Sequence, residues 1–226
     1  MEILYNLAKD FFNKKFFKTS FFYAVFLAVF FTLAGMMLRS GVLSGLDAYL
    51  RDAVLSLRGE TLNHLMILTT YLSDKVIVLP VALLTSIYFL YRKKYDFLFG
   101  LLTSSFVVSL VVVLAKLFFA RLRPPFSEAL LFENDFSFPS GHTARAVAFY
   151  GILAYFVFVS TRNKIEKFLA IFVGLAMIFS ISFSRVYLGV HWPSDVFGSL
   201  IFSGVWLCLL IYLCEIKRKM RIQMMM

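Results

Sequence analysis

Charge is the first thing this sequence lacks. Only 16% of its 226 residues are Asp, Glu, Lys or Arg, and acids number 13 against 23 bases. Soluble domains carry roughly 25% charged residues, so a water-facing globule is excluded. Cysteine is nearly absent. Cys208 and Cys214 stand six apart in one apolar run, which argues against a disulfide or a cysteine-built metal centre and leaves them as packing residues. The 5 prolines and 11 glycines never gather into a linker, and no repeat or low-complexity tract divides the chain, so a single membrane domain over 1–226 is expected. What is present is hydrophobic: 61% of residues, 28 of them phenylalanine, in runs long enough to cross lipid.

These runs predict an all-α integral membrane protein with six transmembrane helices, at about 21–38, 74–91, 97–119, 143–159, 168–183 and 196–213. Most of the bases flank one side of this arrangement. Lys9, Lys14, Lys15 and Lys18 precede the first span, Arg92 to Lys94 follow the second, Arg162, Lys164 and Lys167 separate the fourth from the fifth, and Lys217, Arg218, Lys219 and Arg221 follow the sixth. By the positive-inside rule that side is cytoplasmic, with both termini inside. Charges that flank spans also argue against nucleic acid as a partner. The first apolar run is too long for a signal-peptide core and lacks a small-residue cleavage site, so it is expected to be retained. Residues 1–20 alternate lysine with Phe11, Phe12, Phe16 and Phe17, the pattern of an amphipathic segment on the cytoplasmic interface. Between the first two spans, Leu46, Leu50, Val54 and Leu57 recur at helical spacing with Asp47, Arg51 and Asp52 on the other face, which predicts an interfacial amphipathic helix. Gly59 ends it, and Thr61 is a candidate cap for a second short helix; Pro80 is a candidate kink in the second span.

Against this apolar background the ionisable residues at the outer span ends stand out, because a charge there is costly and by default functional. Lys116, Arg123 and Arg185 bring three positive charges, and no three carboxylates stand nearby in sequence to neutralise them. Arginine forks bind phosphate oxygens in pairs and lysine adds a point charge. Ser140, Gly141 and His142 precede a helix, whose first N–H groups and dipole favour an anion. Together these residues describe a phosphate cradle. His191 and Asp195 are four apart, so a carboxylate on the same helical face can hold Nδ1 and leave Nε2 to attack phosphorus, with His142 as the acid. No metal is required. Taken alone, Arg185 and Asp195 would equally suit a local ion pair.

The same residues carry a family resemblance. Lys116 to Pro124 fits KxxxxxxRP, Pro139 to His142 is PSGH, and Ser184 to Asp195 fits SRxxxxxHxxxD. The chain thus resembles the type-2 phosphatidic acid phosphatase superfamily, and its hydrophobicity places it with the membrane lipid phosphatases rather than with soluble members such as the vanadium haloperoxidases. The resemblance implies a phosphohistidine on His191 supported by Asp195, with His142 protonating the leaving group. It also implies phosphate binding by Lys116, Arg123, Ser140, Gly141 and Arg185, and no cofactor. The expected partners are the bilayer and a phosphorylated lipid of the cell envelope, cleaved at the outer face of the cytoplasmic membrane. Lipid A 1-phosphate is favoured, on Arg145 and Arg121 beside the cradle; undecaprenyl pyrophosphate and phosphatidylglycerophosphate are the alternatives. A non-catalytic binder or a transporter belongs to a different class, and the broken helices in repeated halves typical of transporters are not evident. Arg145, three residues after His142, either meets the substrate headgroup or pairs with an acid such as Asp74. Arg121 is expected to point away, toward lipid headgroups, and His64 to be a surface residue.

Overall fold

The computed structural model describes residues 2–225, with side chains described over 13–220, so Lys9, Phe11, Phe12 and Arg221 lie outside what is said below of side chains. All regular structure among these residues is helical: α1 (Glu2–Arg39), α2 (Ser44–Leu55), α3 (Glu60–Tyr71), α4 (Lys75–Tyr91), α5 (Tyr95–Phe119), a 3₁₀ turn at Phe126–Glu128, α6 (Gly141–Ser160), α7 (Lys164–Tyr187) and α8 (Pro193–Met225). Five of them contain stretches long and apolar enough to cross a membrane, and α3 with α4, bent by 44° at the break, together make a sixth stretch of that length and hydropathy. The break falls at 72–74 rather than at Pro80. There the Asp74 side chain caps α4 by accepting from the Val76 N–H at 3.0 Å.

One expectation needs correction. Residues 2–20 of the lysine- and phenylalanine-rich stretch are not a separate interfacial segment but the first half of α1, a continuous helix of 38 residues. No proline or glycine interrupts residues 2–34, and an unbroken helix keeps its backbone hydrogen bonds satisfied as it enters lipid. The helix predicted between the first two spans forms as α2, and Asp47 and Arg51 turn to the protein. Both are buried and Val54 packs on the cluster around Tyr187, whereas Leu46 and Asp52 are exposed. Where the surroundings are lipid rather than water, a leucine loses nothing by facing outward, and the ion-pairing face is the one that needs protein.

The helix α6 sits at the centre, packed on α5, α7 and α8. Small residues permit this closeness: a Cβ added at Gly174 of α7 would lie 2.9 Å from the Cβ of Ala154 on α6. The core is otherwise aromatic and branched-chain, with Ile152, Phe156, Phe202, Trp206 and Leu210 buried and Phe97 stacked on Phe156 at 4.4 Å. Leucine, valine and phenylalanine cover the outside, as expected where acyl chains rather than water make the contact.

Helix α8 begins beside the ionisable cluster and runs away from it, alongside α1. At the far end Lys15 of α1 donates to the Tyr212 hydroxyl of α8 at 3.2 Å, so those ends of both helices lie opposite the cluster. The other transmembrane helices bring Lys116, the Gly141–His142 turn and Arg185 to the same end, because each residue stands in a terminal turn of α5, α6 or α7.

Candidate active site

A cavity of about 410 Å³ opens at this end of the bundle, and Lys116, Arg123, Gly141, His142, Arg145, Arg185 and His191 all line it. Ser140 and Asp195 are fully buried behind its wall. The three sequence clusters, contributed by four helices and the loop between α5 and α6, therefore meet at one place.

His191 follows α7 in the turn that leads into α8. Its Nδ1 is 3.3 Å from Asp195 Oδ2, and the same oxygen accepts the Trp192 N–H at 2.9 Å and the Ser137 hydroxyl. On the cavity side Arg123 Nη1 lies 3.2 Å from His191 Nε2. A guanidinium can only donate, so Nε2 is the accepting nitrogen and the proton sits on Nδ1, toward Asp195. Burial, followed by the charges of Arg123, Arg185 and Lys116, pushes the His191 pKa well below the ordinary histidine value. The imidazole is thus neutral, with its lone pair directed at the cavity.

The cations of the cradle are not bare. Lys116 pairs with Asp135 at 3.0 Å, Arg123 with Asp135 and with Glu133 at 3.7 Å, and Arg185 with Glu133. Two carboxylates thus meet the three cations and neutralise them in part. Glu133 and Asp135 stand two apart on the α5–α6 loop and so reach the same side. Partial burial alone would raise the Asp135 pKa; Lys116 and Arg123 override it and hold the carboxyl below its ordinary value. Fixed protein groups hold the cations from behind: Thr70 Oγ1 accepts from Arg185 at 2.7 Å, and the Asp135 and Val190 carbonyls accept from Arg123 at 2.7 and 2.5 Å. Arg185 Nε has no hydrogen-bond partner among the described residues. Ser140 is the N-cap of α6 but makes no side-chain cap bond, which leaves first-turn N–H groups open to an anion.

His142 lines the same cavity. Ser73 donates to its carbonyl at 2.7 Å, and Asp74 Oδ2 is 3.7 Å from its Nε2. Arg145 does not take Asp74 as its ion-pair partner; its Nε donates to the Ser73 carbonyl at 3.0 Å and the residue lines the cavity. Arg185 and Asp195 do not pair with each other, since each has another counterion. One further expectation fails. Arg121 does not reach out to headgroups but turns inward, 2.5 Å from Asp195 and 2.7 Å from Asp47. His64 is exposed, as expected. The site residues missed at the sequence level were Asp47, Glu133, Asp135, Ser137 and Ser194. The acid pair between the RP and PSGH motifs was the one available signal. Among the described residues no group of three or more His, Cys, Asp or Glu is arranged to hold a metal.

The family model of the PAP2 superfamily matches residues 94–219. Phosphatidylglycerophosphatase B of Bacillus subtilis (strain 168) is 33% identical over 177 residues, covering 77% of this chain and 86% of its own. An undecaprenyl-diphosphatase of Sulfolobus acidocaldarius is 31% identical over 157 residues, covering 66% and 69%. The crystal structure of a transmembrane PAP2-type phosphatidylglycerolphosphate phosphatase from Bacillus subtilis superposes with a TM-score of 0.71 at 31% identity, covering 84% of this chain and 93% of that one. A family match over more than half its length and a relative covered nearly end to end leave one assignment: the chain belongs to the PAP2 superfamily, among its membrane-embedded lipid phosphatases.

Proposed function

We propose that this enzyme removes the terminal phosphate of phosphatidylglycerophosphate through a phosphohistidine on His191, without a metal. The observation that carries the mechanism is the neutral His191, its Nε2 turned to a cavity ringed by Lys116, Arg123 and Arg185 and its Nδ1 backed by Asp195. The substrate phosphate displaces Glu133 and Asp135 from those cations and receives the N–H groups of Gly141 and His142. Nε2 attacks phosphorus as the P–O bond to the lipid breaks, and His142 gives the leaving oxygen its proton. Water then attacks the phosphohistidine, its proton passing to His142, and inorganic phosphate leaves with His191 restored. Asp195 holds the Nδ1 proton throughout and meets the positive charge that forms on the ring.

The choice of lipid rests on the Bacillus relatives and on Arg145. This residue lines the cavity beside Gly141, where its guanidinium could meet a second anionic group of the headgroup once the terminal phosphate is bound. Part of the ground for lipid A 1-phosphate has gone, because Arg121 is committed to two buried carboxylates. The basic residues at the ends of α1, α4, α7 and α8 opposite the site support cytoplasmic termini and a cavity opening at the outer face.

Purified enzyme in detergent, given ³²P-labelled phosphatidylglycerophosphate and quenched at alkaline pH, should carry an acid-labile label that is absent in His191→Ala. Label retained by His191→Ala would overturn the nucleophile. Phosphate release in EDTA should match the untreated rate; loss that returns only with a divalent ion would sink the metal-free route. In a panel with lipid A and undecaprenyl pyrophosphate, higher kcat/KM on either would reassign the substrate.

A further inference from the structure

Behind the His191–Asp195 pair lies a second set of charges that the phosphate never reaches. Asp195 Oδ2 serves His191, and its other oxygen, Oδ1, accepts from Arg121 at 2.5 Å. The second terminal nitrogen of the same guanidinium donates to Asp47 Oδ2 on α2 at 2.7 Å. Ser194 closes the loop. Its N–H donates to Asp47 Oδ1 at 2.8 Å, its hydroxyl to Asp47 Oδ2 at 2.7 Å, and Arg121 Nη1 lies 2.7 Å from that hydroxyl. Asp47 is 2% exposed and Asp195 fully buried. The Trp192 ring, next to His191 in sequence, has the guanidiniums of Arg51 and Arg121 each 5.7 Å from its centroid.

From this arrangement we propose that Arg121 and Asp47 are positioning residues that act on His191 through Asp195, an inference that rests on His191 being the nucleophile. The charge count gives the reason. Arg121 alone would neutralise Asp195 and draw its electron density away from His191. With Asp47 on its other side, the fork is shared between two carboxylates, and the group Asp47–Arg121–Asp195 keeps one net negative charge. That charge faces the ring that becomes cationic when Nε2 bonds to phosphorus, in surroundings where little water screens it. The fork also fixes the rotation of the Asp195 carboxylate, so that Oδ2 rather than Oδ1 meets Nδ1. A helix outside the motif-bearing part of the chain thereby completes the catalytic dyad.

Asp47→Asn keeps the shape and one acceptor for Ser194 but removes the charge. In phosphatidylglycerophosphate micelles it should lower kcat about tenfold, the loss expected for one charge-assisted hydrogen bond, with KM and inhibition by orthovanadate within about twofold of wild type. Arg121→Lys keeps the charge but cannot hold both carboxylates at once, and should also lower kcat rather than raise KM. The decisive arm is a double-mutant cycle. In an Asp195→Asn background Asp47→Asn should have no further effect on kcat, because its route to His191 has been cut. Unchanged kcat in both single variants, a loss that falls on KM instead, or full additivity with Asp195→Asn would each overturn the proposal. If Asp47→Asn does not yield a monodisperse protein, Arg121→Lys and its cycle with Asp195→Asn decide alone. Trapping of ³²P on wild-type His191 is run alongside: its absence removes the nucleophile reading, whereas normal trapping with indifferent variants removes only the positioning role.

Discussion

Two charged networks touch His191 from opposite sides, built from the same residue types and differing in access to solvent. In front, Lys116, Arg123 and Arg185 are paired with Glu133 and Asp135 on a loop, and the side chains of these acids are 25% and 57% exposed. Behind, Arg121 is paired with Asp47 and Asp195, whose side chains are 3% and 0% exposed. Water and a mobile side chain can replace the front acids, so a phosphate can exchange with them at modest cost. The rear acids have no such replacement, and separating them from Arg121 leaves an uncompensated buried charge. An ion pair is thus a binding site or a piece of scaffold according to whether its anion can leave.

This contrast can be broken at either network. The largest effect is expected for Asp195→Asn, which leaves the cradle intact but removes the charge behind Nδ1. Phosphate release should fall by roughly 10³ to 10⁴, as when other catalytic histidines lose their carboxylate, while orthovanadate still binds. Loss of vanadate binding as well would make Asp195 a structural residue. Arg185→Met should cost about a hundredfold in kcat/KM, the scale for one donor to a developing oxyanion, and weaken vanadate inhibition in step. Equal inhibition of variant and wild type would remove Arg185 from the cradle. Glu133→Gln carries the opposite sign. With one competing anion gone, inorganic phosphate should inhibit at about fivefold lower concentration, the worth of a partly exposed ion pair; weaker inhibition would show that Glu133 organises the cradle rather than filling it. The smallest signal is spectroscopic. The depressed pKa means that the folded protein resists protonating His191, so its ¹⁵N resonances should stay those of the neutral ring as pH falls through about 6.5. A titration at that ordinary value would contradict the burial argument.

The front of the site was legible in the sequence and the rear was not, for a physical reason. Lys116, Arg123, Ser140 to His142, Arg185 and His191 announce themselves because charges and a glycine turn at span ends have few purposes other than binding an anion. Asp47 gave no such signal. It lies 74 residues from Arg121 and 147 from Ser194, in a helix whose alternating faces fit either orientation. In water the apolar face of an amphipathic helix points inward and the reading is safe; beside lipid that inference fails for Asp47 and Leu46 of α2. The helix positions were visible to within a helical turn or so at most ends, yet α6, α7 and α8 each extend past the apolar run to include His142, Arg185 and Asp195. The exception at the N-terminal side was α1, where charge composition suggested a boundary that the backbone had no cause to make.

The break at 72–74 has a consequence for the surrounding bilayer. Helix α4 alone has 17 residues, about 26 Å of rise, against a hydrocarbon thickness of about 30 Å, so the remainder of this crossing falls to α3 across the bend. Asp74 and Lys75, at the bend, both line the cavity. A bilayer of longer acyl chains would be met by straightening or tilting at this bend, and turnover should then change with chain length because the cavity lining moves with it.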